Sequence, residues 1–143
     1  MECPMPELVA AYSVALISLL VFVLVVLLQS ALVGAAKAKA NMTPGSNPEP
    51  DYDNSVYRLN RSHQNGIEIM PAVAVGVFAC ILTGVSAWWV NLLMVLFLVL
   101  RLIYVLIYAQ NVGKATQGAR TFVFVAGWAM VVALCVLSIL ALV

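Results

Sequence analysis

Four apolar stretches, each long enough to cross a bilayer, make up most of the chain. A membrane-spanning helix needs about 20 consecutive apolar residues. The pattern predicts four such spans, at residues 8–34, 58–87, 88–110 and 120–143. The first two are separated by a proline-rich, acidic stretch at 37–54, which is typical of an irregular loop, and helix is expected to resume at Asn54 or Ser55, since either can cap a helix. The pattern predicts an all-α fold, a single integral membrane four-helix bundle.

Composition supports this interpretation, because 64% of the residues are hydrophobic and only 9% are charged, whereas about a quarter are charged in soluble domains. A cleaved signal peptide is the competing interpretation of the first span, with Gly34-Ala-Ala36 as the cleavage site. Glu2 and Glu7 make the preceding segment acidic, and the apolar run is longer than that of a signal peptide. We therefore expect the first span to be retained.

The basic residues lie in two of the three connections between spans. They are Lys37, Lys39, Arg58 and Arg61, which lie in the first connection or at the start of the second span, and Lys114 and Arg120, which lie in the third connection or at the start of the fourth span. By the positive-inside rule, loops 37–61 and 111–120 are expected to face the cytoplasm and both termini the opposite side. The charges do not distinguish a bacterial inner membrane from the endoplasmic reticulum.

A polar motif opens the second span. At about 100° per residue, Arg58, Arg61, Asn65 and Glu68 fall within an arc of roughly 80° on a helix. One helix face is therefore expected to hold a polar, charged partner. His63 points nearly the opposite way, which favours a structural or loop-contacting role over that of a general base.

Arg101 is the second unusual feature, because it lies about 18 Å into the third span, counted from the tryptophans at 88–89. An arginine at that depth costs about 2.5–3.5 kcal/mol, so it is expected to face the protein. Arg101, Tyr104 and Tyr108 share one helix face, and Glu68 is the expected buried partner of Arg101. The alternative is a lone ion pair that fixes helix register and binds nothing.

The surplus of arginines, tyrosines and an amide favours a ligand site over a lone ion pair. Guanidinium groups bind carboxylates in a bidentate fork, so a small, anionic, peptide-like molecule is the expected ligand. The sequence shows no serine-nucleophile motif, phosphate-binding glycine loop or nucleic-acid footprint. The three cysteines, Cys3, Cys80 and Cys135, have neither disulfide-framework nor metal-ligand spacing, so no metal is expected.

Three motifs summarise the polar positions of the last three spans. They are Arg58-x-x-Arg61-x-His63-x-Asn65-x-x-Glu68 followed by Pro71, Arg101-x-x-Tyr104-x-x-x-Tyr108, and Arg120-Thr121-Phe122. Over residues 56–127 their order and spacing resemble the membrane-associated proteins in eicosanoid and glutathione metabolism (the MAPEG family). That family includes microsomal glutathione transferases, a prostaglandin E synthase and a leukotriene-forming synthase.

The resemblance implies that glutathione is the ligand and co-substrate. It implies a homotrimer with each site between neighbouring subunits, open toward the cytoplasmic half of the bilayer. The implied glutathione-binding residues are Arg61, Asn65, Glu68, Tyr104, Tyr108 and Thr121. Arg120 is the implied catalytic residue, since a nearby guanidinium lowers the pKa of a thiol, which is about 8.5 when unperturbed. The expected activity is that of a glutathione transferase or peroxidase acting on a lipophilic electrophile from the bilayer.

The chain departs from the family pattern in two places. Eleven residues separate Tyr108 from Arg120, a few more than in the catalytic members, and Lys114 within them is a possible substitute for Arg120. The basic residue that some members carry on the first span has no clear equivalent, because Lys37 and Lys39 fall in a loop-like stretch.

Two alternatives stay open at this point. The first is a non-enzymatic, membrane lipid-binding or scaffold member of the same family. The second is a small transporter that uses Glu68 as a proton or cation site, which the arginine surplus disfavours. The identity of the electrophile is not determined, since apolar pockets discriminate weakly between similar lipids.

Overall fold

The computed structural model describes residues 5–113 and 118–143, and the regular structure of these residues is helical. The helices are α1 (Met5–Ala11), α2 (Ser13–Lys39), α3 (Ser55–Leu82), α4 (Ala87–Ala109) and α5 (Ala119–Leu140). Helices α2 to α5 are long and apolar enough to cross a membrane, so the predicted all-α four-helix membrane bundle is confirmed. Cys3 and Lys114 lie outside the described residues.

The ends of α2 and α3 set the length of the connecting loop. Helix α2 continues past the expected loop boundary to Lys39, because alanine and lysine are good helix formers. Lys37 and Lys39 are therefore helical and not part of a loop. The start of α3 is confirmed, since the Asn54 side chain accepts a hydrogen bond from the backbone N–H of Val56 at 2.9 Å. Helix α3 continues through Pro71.

Helices α2 and α5 each pack against α3 and α4, which also contact one another. An edge-to-face pair of Phe22 on α2 and Phe97 on α4, with ring centres 5.1 Å apart, lies in the core. The largest fully buried side chains are Phe22, Phe97, Met94, Leu134, Val73, Val77, Val90 and Cys80. Many leucines and valines remain exposed on the outer surface of the bundle, which suits contact with lipid.

A close approach of α2 and α3 places the polar motif against the bundle. A Cβ atom added at Gly66 would lie 2.9 Å from Val26 Cγ2, so only glycine allows this spacing. Beside it, the buried Gln29 side chain donates a hydrogen bond to Ser62 at 2.9 Å. Through this contact the buried side chains of Gln29 on α2 and Ser62 on α3 become hydrogen-bond partners where the two helices meet.

Candidate functional site

One open cavity of about 220 Å³ brings together six of the seven residues predicted to bind the ligand or catalyse its reaction. It lies where α3 and α5 begin and α4 ends. The lining residues are Tyr52, Arg61, Asn65, Tyr104, Tyr108, Arg120, Thr121 and Phe124. The sequence motifs of three separate helices therefore meet at one place in the folded chain.

The two tyrosines of α4 form one wall of the cavity. Tyr104 and Tyr108 are four residues apart, which places them on the same helix face, and their ring centres are 4.7 Å apart. Both rings are buried. Asn65, on α3, is also buried, and its side-chain oxygen has no hydrogen-bond partner within residues 5–113 and 118–143.

Arg120 packs into this aromatic wall, although the connection before it is longer than expected. Its guanidinium carbon lies 4.7 Å from the ring centre of Tyr52 and 5.1 Å from that of Tyr108. The Nη2 group donates to the side-chain oxygen of Asn111 at 2.6 Å. Nε and Nη1 are buried and have no hydrogen-bond partner in the described part of the chain. Among the described residues, three of the five N–H donors of Arg120, those on Nε and Nη1, therefore have no partner.

Glu68 and Arg101 do not form the predicted buried pair. Glu68 pairs instead with Arg61 on the same helix, with 3.2 Å between Oε1 and Nη1. The Glu68 side chain is 58% exposed, whereas Arg101 is buried with its guanidinium carbon 4.7 Å from the ring centre of Tyr104. The aliphatic chain of Arg101 lies beside Gly127 on α5, where an added Cβ would be 3.9 Å from Arg101 Cδ, an ordinary contact distance.

Arg101 has no countercharge at hydrogen-bonding distance among the described residues. Its Nε and Nη1 groups are buried without a hydrogen-bond partner. The rings of Tyr104 and, at 5.8 Å, Phe22 provide its surroundings. In the part of the chain that the structure describes, two arginines without carboxylate partners therefore lie in and beneath the cavity.

Arg58 has a structural task that the helical arc did not indicate. Its Nη1 group donates to the backbone carbonyls of Tyr52, at 2.6 Å, and Asp53, at 2.9 Å. Its Nε group donates to the backbone carbonyl of Tyr108 at 3.0 Å. Arg58 thereby connects the α2–α3 loop to the end of α4.

His63 lies away from the cavity, as its helical phase predicted. It lines a separate groove of about 500 Å³ formed by α2, α3 and the loop between them. Lys37 lines the same groove and donates to the backbone carbonyl of Ser46 at 2.8 Å. His63 therefore faces the α2–α3 loop and not the cavity.

A second groove, of about 180 Å³, adjoins the cavity and contains Glu68. It is lined by Asn65, Glu68, Ile69, Ala72, Phe124 and Trp128, and it shares Asn65 and Phe124 with the cavity. Trp128 is 54% exposed on the outer surface of α5. The polar cavity and this mostly apolar groove are therefore neighbours on the same side of the bundle.

Three residues of the site were not predicted from the sequence. Phe124 had a readable signal, because it follows Arg120 by four residues and shares its helix face. Tyr52 and Asn111 lie in connections between helices, where no periodicity indicates direction. Only the folded chain brings them to Arg120.

Taken together, the fold and the cavity define an integral, multi-pass membrane protein with an arginine- and tyrosine-lined pocket at one end of a helical bundle. The model of the MAPEG family matches residues 14–140. The chain therefore belongs to the MAPEG family, which includes glutathione transferases and related enzymes. A search of curated proteins gives no match to the chain.

Proposed function

We propose that the chain binds glutathione in the cavity and acts as a glutathione transferase or peroxidase on lipophilic electrophiles. The observation that carries this proposal is the burial of Arg120 with Nε and Nη1 unpartnered among the described residues. A buried charge without a counter-ion is costly, so the cavity favours an anionic ligand. Membership of a family that includes glutathione transferases supports glutathione in particular.

Glutathione has two carboxylates, an ammonium and two peptide groups, and the site offers a partner for each kind. Arg61, whose side chain is 36% exposed, suits a carboxylate. The unpartnered oxygen of Asn65 suits a peptide N–H. Glu68, in the adjoining groove, suits the ammonium. The hydroxyls of Tyr104 and Tyr108 add donors and acceptors along one wall.

Arg120 is the proposed catalytic residue. Its guanidinium favours the thiolate over the thiol and so lowers the thiol's pKa. Thr121, next to it on α5, lines the same cavity and supplies a neighbouring hydroxyl. Bound glutathione would supply the nucleophile for attack on an electrophilic carbon or for reduction of a hydroperoxide.

The second substrate would arrive from the bilayer. The groove between α3 and α5 shares Asn65 and Phe124 with the cavity, and the exposed ring of Trp128 is part of its lining. An apolar groove with one polar end suits a lipophilic molecule whose reactive group lies near the thiolate. The walls of this groove, Ile69, Ala72 and Phe124, supply the apolar contacts.

We further propose a homotrimer with the site facing the cytoplasm. The family resemblance supports the trimer and the cytoplasmic opening, and the basic residues at the end of α2 and the start of α3 support the cytoplasmic opening. The cavity is open on one side, and the side chains of Arg61 and Glu68 are accessible there. A neighbouring subunit would find room to complete the site.

The test is a titration of purified protein with glutathione. Calorimetry measures binding, and the ultraviolet absorbance of the thiolate measures ionisation of the thiol. Wild-type protein is expected to bind and to show the thiolate band, and Arg120→Ala is expected to bind without the band. Lys39→Ala is the matched control, because it removes a positive charge at the exposed end of α2 away from the cavity. S-methylglutathione, which cannot ionise at sulfur, should bind without a band.

Absence of binding to wild-type protein would refute the proposal. Binding without thiolate formation in wild type would favour the non-enzymatic member of the family. If Lys114→Ala removes the band and Arg120→Ala keeps it, Lys114 is the stabilising group.

A further inference from the structure

The loop between α2 and α3 carries an aromatic residue to the proposed catalytic arginine. The ring centre of Tyr52 lies 4.7 Å from the guanidinium carbon of Arg120, nearer than the ring of Tyr108 at 5.1 Å. Tyr108 belongs to a membrane helix, and Tyr52 does not. One face contact of the guanidinium is therefore made by the loop.

The position of Tyr52 is held by contacts of its backbone and of its ring. Arg58 donates to the carbonyl of Tyr52 at 2.6 Å and to that of Tyr108 at 3.0 Å. The ring of Tyr57 packs edge-to-face on the Tyr52 ring, with centres 5.2 Å apart. Arg58 thus fixes Tyr52 to the same helix end that presents Tyr108.

Few other contacts orient the guanidinium of Arg120. Its side chain makes one hydrogen bond, from Nη2 to Asn111 at 2.6 Å, and Nε and Nη1 have no partner within the described residues. A single hydrogen bond does not fix the orientation of the guanidinium plane. The two aromatic rings restrict that rotation, and cation–π contacts are stronger where water is excluded.

We propose that Tyr52 is a positioning residue for Arg120. Its ring holds the guanidinium in place and excludes water from one face, so that the charge acts on the ligand thiol in a medium of low dielectric constant. Charge interactions strengthen as the dielectric constant falls. This inference rests on the proposed glutathione function and assigns to the loop a part in setting the acidity of the thiol.

Removal of the ring has a specific expected effect. In Tyr52→Ala, water reaches the guanidinium, and the thiolate loses part of its stabilisation. The apparent pKa of the bound thiol is expected to rise by about 0.5–1 unit, which reduces the thiolate fraction about three- to tenfold at a pH below that pKa. Glutathione affinity measured well below the thiol pKa should change less than twofold, because Arg61 and Asn65 are untouched.

The experiment is a pH titration of the thiolate absorbance in the full-length protein saturated with glutathione. It compares wild type, Tyr52→Ala, Tyr52→Phe and Asn47→Ala. Tyr52→Phe keeps the ring and is expected to restore the wild-type titration. Asn47→Ala removes the loop's hydrogen bond with Gln64 without touching Arg120, and it controls for general loosening of the loop.

The outcomes separate the two proposals. Wild-type protein that binds no glutathione refutes the proposed function and this inference with it. If wild-type protein forms thiolate and the apparent pKa of the bound thiol in Tyr52→Ala is the same or lower, the positioning role alone is refuted. An equal rise in Asn47→Ala also refutes it, because the loop and not the ring would then be responsible. If Tyr52→Ala does not fold, Tyr52→Leu replaces it and must show the same rise.

Discussion

Arg61 and Glu68, seven residues apart on α3, form an ion pair with 3.2 Å between Nη1 and Oε1. The pair spans two helical turns at the edge of the cavity, and both side chains remain accessible. Exposed pairs contribute at most about 1 kcal/mol to stability. Arg61 and Glu68 are therefore available to a ligand without a large loss of folding free energy.

This relationship predicts that Glu68→Gln weakens glutathione binding and leaves the fold intact. Loss of one charged hydrogen bond to the ammonium should reduce affinity about tenfold. The melting temperature should change by no more than a few degrees. Calorimetric titration and thermal unfolding measure the two quantities, and a large loss of stability with unchanged affinity would show that Glu68 is structural.

Replacement of Arg101 by methionine is expected to raise thermal stability in the absence of glutathione. Arg101 is buried without a countercharge among the described residues, and replacement even of buried ion pairs by apolar residues of similar volume is often neutral or stabilising by about 1–4 kcal/mol. The measurement is thermal unfolding in detergent with and without glutathione.

The same variant distinguishes a ligand-related arginine from a packing one. If Arg101 serves the ligand, glutathione should stabilise Arg101→Met less than it stabilises wild type. A variant that unfolds at a lower temperature without ligand would instead show that the contacts of Arg101 with Tyr104 and Phe22 outweigh the cost of its burial.

Gly66→Ala is expected to destabilise the bundle by about 1–3 kcal/mol through overpacking. The added Cβ would lie 2.9 Å from Val26 Cγ2, and a valine in a helix has one strongly preferred rotamer and cannot move aside. Gly34→Ala is the matched control, since nothing lies within 4 Å of its added Cβ, and it should gain up to about 1 kcal/mol in helix propensity. Equal melting temperatures for the two variants would contradict the close approach of α2 and α3.

Trp128→Ala is expected to alter the use of the lipophilic substrate and to leave glutathione binding unchanged. Trp128 lines the apolar groove and not the cavity of Arg120. Loss of the indole should raise KM for a bulky electrophile severalfold, which corresponds to a loss of about 1 kcal/mol or more of contact free energy. Trp88→Ala, at an exposed position at the start of α4, is the control and should have the wild-type KM. The same KM in Trp128→Ala would exclude the groove as the substrate route.

The helices and their polar faces were predictable because each depends on residues close in sequence. Long apolar runs predict spans, and a period of 3.6 residues aligns Tyr104 with Tyr108 and separates His63 from Asn65. The length of α2 was not predictable in the same way, because two local signals conflict at Lys37 and Lys39. Their charge indicates a loop outside the membrane, whereas the helix propensity of lysine indicates that the helix continues. The structure shows that the local helix propensity prevails there.

The predicted pairing of Glu68 with Arg101 failed for a different reason. Helical phase states which way a residue points relative to its own helix axis, but the distance between two helices depends on every side chain between them. The guanidinium of Arg101 lies near the ring of Phe22 on α2, and Glu68 pairs with Arg61 on its own helix. The spacing within α3 allows Glu68 to pair with Arg61, but it does not decide whether Arg61 or Arg101 is the partner.

By itself, the sequence determined a four-span membrane bundle, its family, and the cluster of Arg61, Asn65, Tyr104 and Tyr108 near one end, because helix formation and bilayer length are local constraints. The tertiary structure alone decided what surrounds Arg120. The ring of Tyr52 and the side chain of Asn111 reach it from two connecting loops, where chain direction depends on contacts such as those of Arg58. Those contacts join residues up to fifty positions apart in the chain, and a local sequence pattern does not predict them.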